Sequence, residues 1–191
     1  MKLDERVRAD LAAETRFADI RLLAETTSTN AVAAGQAGDG LVVAADFQTA
    51  GRGRLDRTWE ARPGDGLLVS VRLEGDWPAD RRHLVTAAAA LAGRDACSGV
   101  AGVDPDIKWP NDLLSPAGAK LAGILAESSG PAVVVGMGLN VHGGPPGAAW
   151  LDDLAGRRVG RAALLEAWLR GIDRLLRDLH GVAARYRAEC A

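Results

Sequence analysis

The sequence predicts an α+β fold: a mixed, mainly antiparallel sheet packed by helices. Apolar runs at 41–45, 67–73, 107–114, 120–127 and 132–141 alternate or cluster as strands do. The last three follow one another through short links punctuated by Gly and Pro, which favours antiparallel neighbours. An alanine-rich segment at 80–97 and a stripe of leucines from Arg161 onward keep helical spacing. With 191 residues, 48% of them apolar, the chain is expected to bury its core as one domain, 1–191, without repeats or linkers.

Leu3, Val7 and Leu11, four residues apart, predict a first amphipathic helix, and Ile20-Arg21-Leu22-Leu23 a short strand. Thr26-Thr27-Ser28-Thr29-Asn30 then precedes Ala31-Val32-Ala33-Ala34 and a glycine-rich stop at 35–40, the pattern of a capped helix start. Ser28 or Thr29 serves as the cap. One cap uses one side chain, so the surplus is available to a polar ligand at the positive end of the helix.

After the run Leu41–Ala45, residues 67–73 alternate like a half-buried strand, and 80–97 read as a helix carrying Leu84, Val85 and Leu91. Ile107–Leu114 reads as one strand in which Trp109-Pro110 serves core and turn, followed by a turn at Ser115–Gly118 and strands 120–127 and 132–141. The glycines flanking Met137 predict close backbone approach. Residues 142–149 form a glycine- and proline-rich mobile loop ending at Trp150. From Arg161, the stripe Leu164, Leu165, Trp168, Ile172, Leu175, Leu176 and Leu179 closes the chain with one long amphipathic helix, ended by His180-Gly181 and faced by solvated arginines. His83 and His180 fall on helices, and His142 falls in a loop where it would only brush a ligand.

A formal charge of −2 argues against a general nucleic-acid or membrane-surface binder. Acids at Asp4 and Glu5 occupy the place of a signal peptide's apolar segment, and no apolar run reaches membrane-spanning length. Cys97 and Cys190 lack the spacing of a disulfide framework or zinc site, so a reduced cytoplasm is the expected location. Of 23 basic residues only Lys2, Lys108 and Lys120 are lysine, which marks positions where a compact, pKa-adjustable cation differs from a guanidinium.

Residues 48–59, Gln48-Thr49-Ala50-Gly51-Arg52-Gly53-Arg54-Leu55-Asp56-Arg57-Thr58-Trp59, make a glycine-spaced arginine loop directly after a strand. Glycines allow close backbone approach while guanidinium forks grip carboxylate or phosphate oxygens in pairs, so the loop reads as a lid over an anion. A solvated basic loop or a nucleic-acid-holding segment is the alternative, weakened by the short single motif and its flanking strands.

Four segments in order, Thr27-Ser28-Thr29-Asn30, the 48–59 loop, Lys108-Trp109-Pro110-Asn111-Asp112 with Lys120-Leu121-Ala122-Gly123-Ile124, and Gly136-Met137-Gly138-Leu139-Asn140, resemble the catalytic domain of biotin–protein ligase over about residues 20–190. The resemblance implies the biotin/lipoate ligase catalytic fold, which is similar to class II synthetases. It further implies a two-step activity: biotin and ATP give biotinyl-5′-adenylate and pyrophosphate, then a lysine of a biotin carboxyl carrier domain takes the biotinyl group.

The same resemblance implies that Ser28, Thr29, Asn30 and Gln48 bind the ureido ring of biotin, and that Arg52, Gly53, Arg54 and Lys120 hold its carboxylate and the phosphates. Lys120 and Arg54 would be the catalytic cations. Asn111, Asp112 and Asn140 would lie on the nucleotide side, Asp112 as the partner of phosphate-bound Mg2+, with Trp59 or Trp150 covering the adenine. The partner would be a biotin-dependent carboxylase's carrier, with no DNA or membrane partner, because no helix-turn-helix precedes residue 20. The oligomeric state stays open.

Two departures stand out: Leu55-Asp56 replaces the basic or small residue and glycine usual in the family's loop, and the sequence ends at Arg187–Ala191, where family members usually continue into a small β-barrel. The runner-up readings are a lipoate-type protein ligase and a non-catalytic biotin or adenylate sensor.

Overall fold

Among the described residues, seven strands join one sheet: β1 (Ile20–Thr26), β2 (Leu41–Gln48), β3 (Gly66–Leu73), β4 (Asp106–Lys108), β5 (Asp112–Leu114), β6 (Lys120–Ser129) and β7 (Ala132–Asn140), in the order β1-β2-β3-β7-β6-β5-β4. The structure, a computed structural model, describes residues 1–55, 57–75, 77 and 81–190. β1 and β2 pair in parallel because the short helix α2 (Thr29–Ala34) carries the chain between them; every other pair is antiparallel. The expected α+β class is the class observed.

Strand alternation gives the sheet two faces of different character. Val42, Ala44, Val69, Val71, Val135, Met137, Leu139 and Ile124 point to one side and form the main core with the helices α1 (Glu5–Glu14), α3 (His83–Ala96), α4 (Leu151–Ala155), α5 (Arg161–Leu176) and α6 (Leu179–Glu189). The opposite side carries Leu41, Val43 and Val134 under Ala33 of α2, then opens toward residues 48–65. Every residue of β3 is buried, so the half-buried strand expected from its alternation is covered on both faces. Small side chains let α3 and α5 approach: a Cβ on Gly171 would stand 3.0 Å from that of Ala92. Trp168 closes the same contact by donating its indole N–H to the Ala89 carbonyl at 3.0 Å.

Three further expectations change in detail. The predicted strand 107–114 is a hairpin, β4 and β5, folded at Trp109-Pro110-Asn111, with a cis Trp109–Pro110 bond; Trp109 serves the turn but not the core, being 71% exposed. The predicted helix start at Asp80 lies outside the described residues, and α3 runs on through a π-helical turn to Ala101. The single closing helix is two helices, because Asp178 accepts the Gly181 backbone N–H at 2.9 Å and starts α6; His180-Gly181 is thus a first turn rather than a stop.

Asp173 fastens α5 to the N-terminal segment. Its carboxylate meets Arg16 at 3.3 Å and Arg177 at 2.5 Å, and its side chain is 7% exposed. Burial acts to raise its pKa, but the bonds from Arg177 and Arg16 outweigh burial and hold the carboxyl below its ordinary range. A depressed folded-state pKa gives stability that is present above the unfolded pKa of about 4 and is lost as pH falls through the folded value. The melting temperature should therefore fall between about pH 5 and pH 3. Asp173→Asn should lower it near neutrality and flatten this part of the acid limb; an unchanged slope in thermal melts across that range would disprove the linkage.

Candidate active site

The open face is built around a row of polar side chains. Ser28 caps α2, accepting the Ala31 N–H at 3.5 Å, as a capping reading requires. The next two residues turn inward: Thr29 and Asn30 are 4% and 5% exposed. Thr29 donates its backbone N–H and its hydroxyl to Gln48 Oε1 at 2.7 and 3.0 Å. Ser70 Oγ of β3 lies 2.7 Å from Thr29 Oγ1 and 2.5 Å from Asn30 Oδ1. Asn30 Nδ2 donates to the Leu125 carbonyl at 3.3 Å and to Glu127 Oε2 at 2.8 Å.

These partners fix both amide orientations, since the oxygen of Gln48 faces an N–H and the nitrogen of Asn30 faces two acceptors. The contacts Gln48–Thr29–Ser70–Asn30 therefore contain two hydroxyl protons for three links. One link pairs acceptor with acceptor. A buried row short of a proton suits a ligand that brings N–H donors.

Glycines form the floor beside it. A Cβ on Gly136 would stand 2.1 Å from Asn30 Oδ1, and one on Gly138 would stand 2.4 Å from the indole of Trp59. Trp59 spreads over Gly138 and Gly123, and its Nε1 is buried without a partner. Lys120 Nζ sits 5.7 Å from the Trp59 ring centroid, within cation–π range. The expectation of close approach around Met137 is thus met by two different neighbours.

The arginine loop is a narrow hairpin: Arg52 bridges to Thr58, Gly53 N–H donates to the Arg57 carbonyl at 2.7 Å, and Trp59 N–H donates to the Gly51 carbonyl at 3.0 Å. Leu55, where the family pattern expects a small or basic residue, takes a φ of +55° at the tip and is 80% exposed. Asp56 lies outside the described residues.

Each cation rests on an acceptor of the protein itself. Lys120 Nζ is 2.8 Å from Asp112 Oδ1, a charge contact without hydrogen-bond alignment. Arg54 donates to Asn111 Oδ1 at 3.1 Å, and Asn111 Nδ2 donates to the Ile124 carbonyl at 2.7 Å. Arg52 binds Glu127 farther along β6. Two of the three cations therefore hold adjacent residues, while Arg52 does not join them; Gly53 sits between the two arginines, its Cβ position 3.2 Å from the Arg57 carbonyl.

At the end of β7, Asn140 donates Nδ2 to the Ala149 carbonyl at 3.0 Å and leaves a buried Oδ1 without a partner. Trp150 lines a cavity of about 570 Å³ there with Phe47, Arg62 and His142, so the two candidate tryptophans stand at different places. A larger groove of about 720 Å³ lies on the helix side of β6, between Trp109, Leu84 and Tyr186. It has Arg54 and Asn111 at its rim but none of the polar row, and the chemistry is therefore assigned to the open face.

Sequence reasoning missed three members of this region. Ser70 was legible as the one hydroxyl within an apolar strand, and Glu127 as the one acid in the strand that Lys120 starts. His142, expected at most to brush a ligand, has its Nδ1 2.9 Å from Asp152 Oδ2, a contact that only the fold brings about. Cys97 and Cys190 are not joined in a disulfide, and Cys97 is buried with its thiol pushed up to about 12 by desolvation, so it supplies no nucleophile at this site.

Residues 22–143 match the biotin/lipoate A/B protein ligase family. The chain is 38% identical to the biotin–[acetyl-CoA-carboxylase] ligase of Mycobacterium tuberculosis, the similarity covering 97% of this chain and 77% of that protein. It is 34% identical to the bifunctional ligase/repressor BirA of Bacillus subtilis over 82% of this chain and 52% of that protein, so it spans about half of the latter's length. The biotin protein ligase from Aquifex aeolicus, solved with biotin and ATP, superposes with a TM-score of 0.79 at 24% identity, covering 91% of this chain and 79% of that one, a likeness of fold. The family match begins inside β1 and ends just past β7, enclosing the polar row, the arginine loop, the Lys120 strand and the glycine floor, and on it the chain belongs to the biotin/lipoate A/B protein ligase family.

Proposed function

We propose that the chain is an ATP-dependent biotin–protein ligase, which makes biotinyl-5′-adenylate from biotin and ATP and then biotinylates a specific lysine of a biotin carboxyl carrier domain. The observation that carries this reading is the proton-short row Gln48–Thr29–Ser70–Asn30 beside a glycine floor. A ureido ring offers two N–H donors and one carbonyl, which suits acceptors left without a proton, whereas a dithiolane offers no donor.

In the first step a biotin carboxylate oxygen attacks the α-phosphorus, a new O–P bond forms, and the bond to the β-phosphate breaks with loss of pyrophosphate. Two anions must meet, so the residues that matter are cations able to leave their present partners. Lys120 exchanges Asp112 for the carboxylate and α-phosphate, Arg54 exchanges Asn111, and Arg52 exchanges Glu127, while Gly53 allows the backbone to close on the ligand. Trp59, already over Gly138, walls off water from the reacting atoms.

Asn140 with its unpartnered Oδ1 and Trp150 with its cavity would receive the base, with Asn111 and Asp112 toward the phosphates. No cluster of three or more metal-ligating side chains exists among the described residues. Asp112, 24% exposed beside Lys120, is a single carboxylate at the edge of the site, which fits a Mg2+ ion that arrives on the triphosphate and needs few protein ligands. Such an ion would neutralise phosphate charge. In the second step the carrier's neutral ε-amine attacks the acyl carbon, forming an amide and releasing AMP and a proton.

The carrier is assigned as a biotin-dependent carboxylase's carrier by analogy with the name of the Mycobacterium tuberculosis relative. No helix among the described residues is long and apolar enough to cross a membrane.

The test is pyrophosphate release with ATP, Mg2+ and either biotin or lipoate, followed by mass spectrometry of a carrier domain. Release with biotin and a mass gain on the carrier are expected. Release with lipoate alone would replace this reading by the lipoate-type one. Tight biotin binding without release would make the protein a sensor.

A further inference from the structure

The cavity at the end of β7 holds a histidine that the ligase reaction does not require, in a fixed protonation geometry. His142 lines this cavity together with Trp150, Phe47 and Arg62. Its backbone N–H is anchored on the Asp65 carbonyl at 2.7 Å. Its side chain is 10% exposed and holds Asp152 Oδ2 through Nδ1 at 2.9 Å. Asp152 is itself immobilised, its other oxygen accepting the Val159 N–H at 2.7 Å. A carboxylate at Nδ1 requires that nitrogen to carry the proton, so in the neutral imidazole Nε2 is an acceptor. Two residues back along the chain, Asn140 Oδ1 is a second acceptor, buried and unpartnered because Asn140 Nδ2 is tied to Ala149.

We propose that His142, with its tautomer set by Asp152, is a base-selecting residue that makes the nucleotide cavity prefer a purine bearing an exocyclic amino group over one bearing a keto oxygen. The inference rests on the reading of this cavity as the nucleotide site. The Nε2 lone pair of His142 offers a 6-amino group an acceptor in the cavity wall; Asn140 Oδ1 is buried behind that wall and does not line the cavity. A 6-keto oxygen at the same place sets lone pair against lone pair, and the N–H that accompanies it at ring position 1 lies beside it on the same edge, aimed at a neighbouring spot rather than at Nε2. A site built to hydrogen-bond a donor rejects the analogue lacking it more strongly than an apolar pocket rejects a change of size. Phe47 and Trp150 supply apolar surface for the ring and carry no such preference.

The test compares ATP with inosine triphosphate, which differs from it at the 6-position and N1, using kcat/KM for biotin-dependent pyrophosphate release and nucleotide binding by calorimetry. For the wild-type chain ATP should be preferred. His142→Phe keeps the ring volume and removes the acceptor, and it should lower the ATP-to-ITP ratio about tenfold, chiefly through KM for ATP. His142→Gln restores an acceptor and should recover part of the ratio, a response that a purely structural role would not give. Asp152→Ala releases the tautomer and should lower the ratio like His142→Phe while His142 remains present.

If the wild-type chain shows no ATP-dependent release and binds neither nucleotide, the ligase reading itself fails. If it turns over ATP and His142→Phe keeps the wild-type ratio, the selection by His142 is overturned while the ligase reading stands.

Discussion

Lys120→Ala is expected to cut biotin- and ATP-dependent pyrophosphate release by at least about 100-fold, the loss that follows removal of one preorganised charge-stabilising donor from a transition state. The side chain is 43% exposed and its one ion pair among the described residues is with Asp112, so the fold should survive with a loss of roughly 1 kcal/mol or less. Far-ultraviolet circular dichroism and a thermal melt check that the fold is kept. Lys120→Arg should not rescue the rate. Gly123 leaves room for a slender ammonium, with its Cβ position already 3.4 Å from Lys120 Nζ, and a planar guanidinium is too broad for that slot and would press on Trp59. Because the amine is held on Asp112 before any anion arrives, the substrate carboxylate has to compete for it. Asp112→Asn should therefore bind biotin at least as well as the wild type while losing turnover wherever the carboxylate is needed on the phosphate side. Turnover within twofold of wild type in Lys120→Ala would remove this residue from the mechanism.

The fold was legible where one physical constraint dominates. The antiparallel run β5, β6, β7 follows from short links, and α5 from a stripe that only a helix can place on one side. The break between α5 and α6 was not legible, because Leu175, Leu176 and Leu179 keep helical spacing across it; the deciding event is one side chain, Asp178, capping the next turn. Trp109-Pro110 misled for a related reason. A tryptophan beside an apolar run reads as core, yet the hairpin turn carries it outward.

In the site, the sequence exposed the residues whose chemistry is unusual for their surroundings: the glycine-spaced arginines, the lone lysine, and the hydroxyls in excess of a cap. It concealed relations that arise only when strands pair. Ser70 joins Thr29 to Asn30 across about forty residues, and Glu127 holds both Asn30 and Arg52. The family resemblance implied that Arg52, Arg54 and Lys120 converge on one anion. In the structure Arg52 stands apart on Glu127, so full convergence requires a ligand that outcompetes the protein's own acceptors.

Gly136→Ala tests the polar row without deleting any member of it. Its new methyl would stand 2.1 Å from Asn30 Oδ1 and 3.0 Å from Ser70 Oγ. Asn30 cannot retreat freely, since its Nδ2 is tied to Leu125 and Glu127, and α2 above it has its Ala33 packed on Leu41, Val43 and Val134. The strain must then be relieved by pushing Asn30 and its helix off the sheet, which opens the links to Ser70 and Thr29 together. Overpacking of this kind costs about 1–3 kcal/mol, so a lower melting temperature is expected, along with a loss of biotin affinity of about 100-fold or more as the acceptors lose their mutual geometry. Gly99→Ala is the control: a Cβ there meets nothing within 4 Å, and neither stability nor binding should change beyond error. Gly138→Ala separates the row from the lid, because the atoms nearest its methyl belong to the Trp59 indole, a loop side chain able to swing away. That variant should keep the row intact, shift tryptophan fluorescence in the ligand-free protein, and weaken adenylate formation more than biotin binding. Equal affinity for biotin in Gly136→Ala and wild type, measured by calorimetry, would show that the row beneath α2 is not where the ring is held.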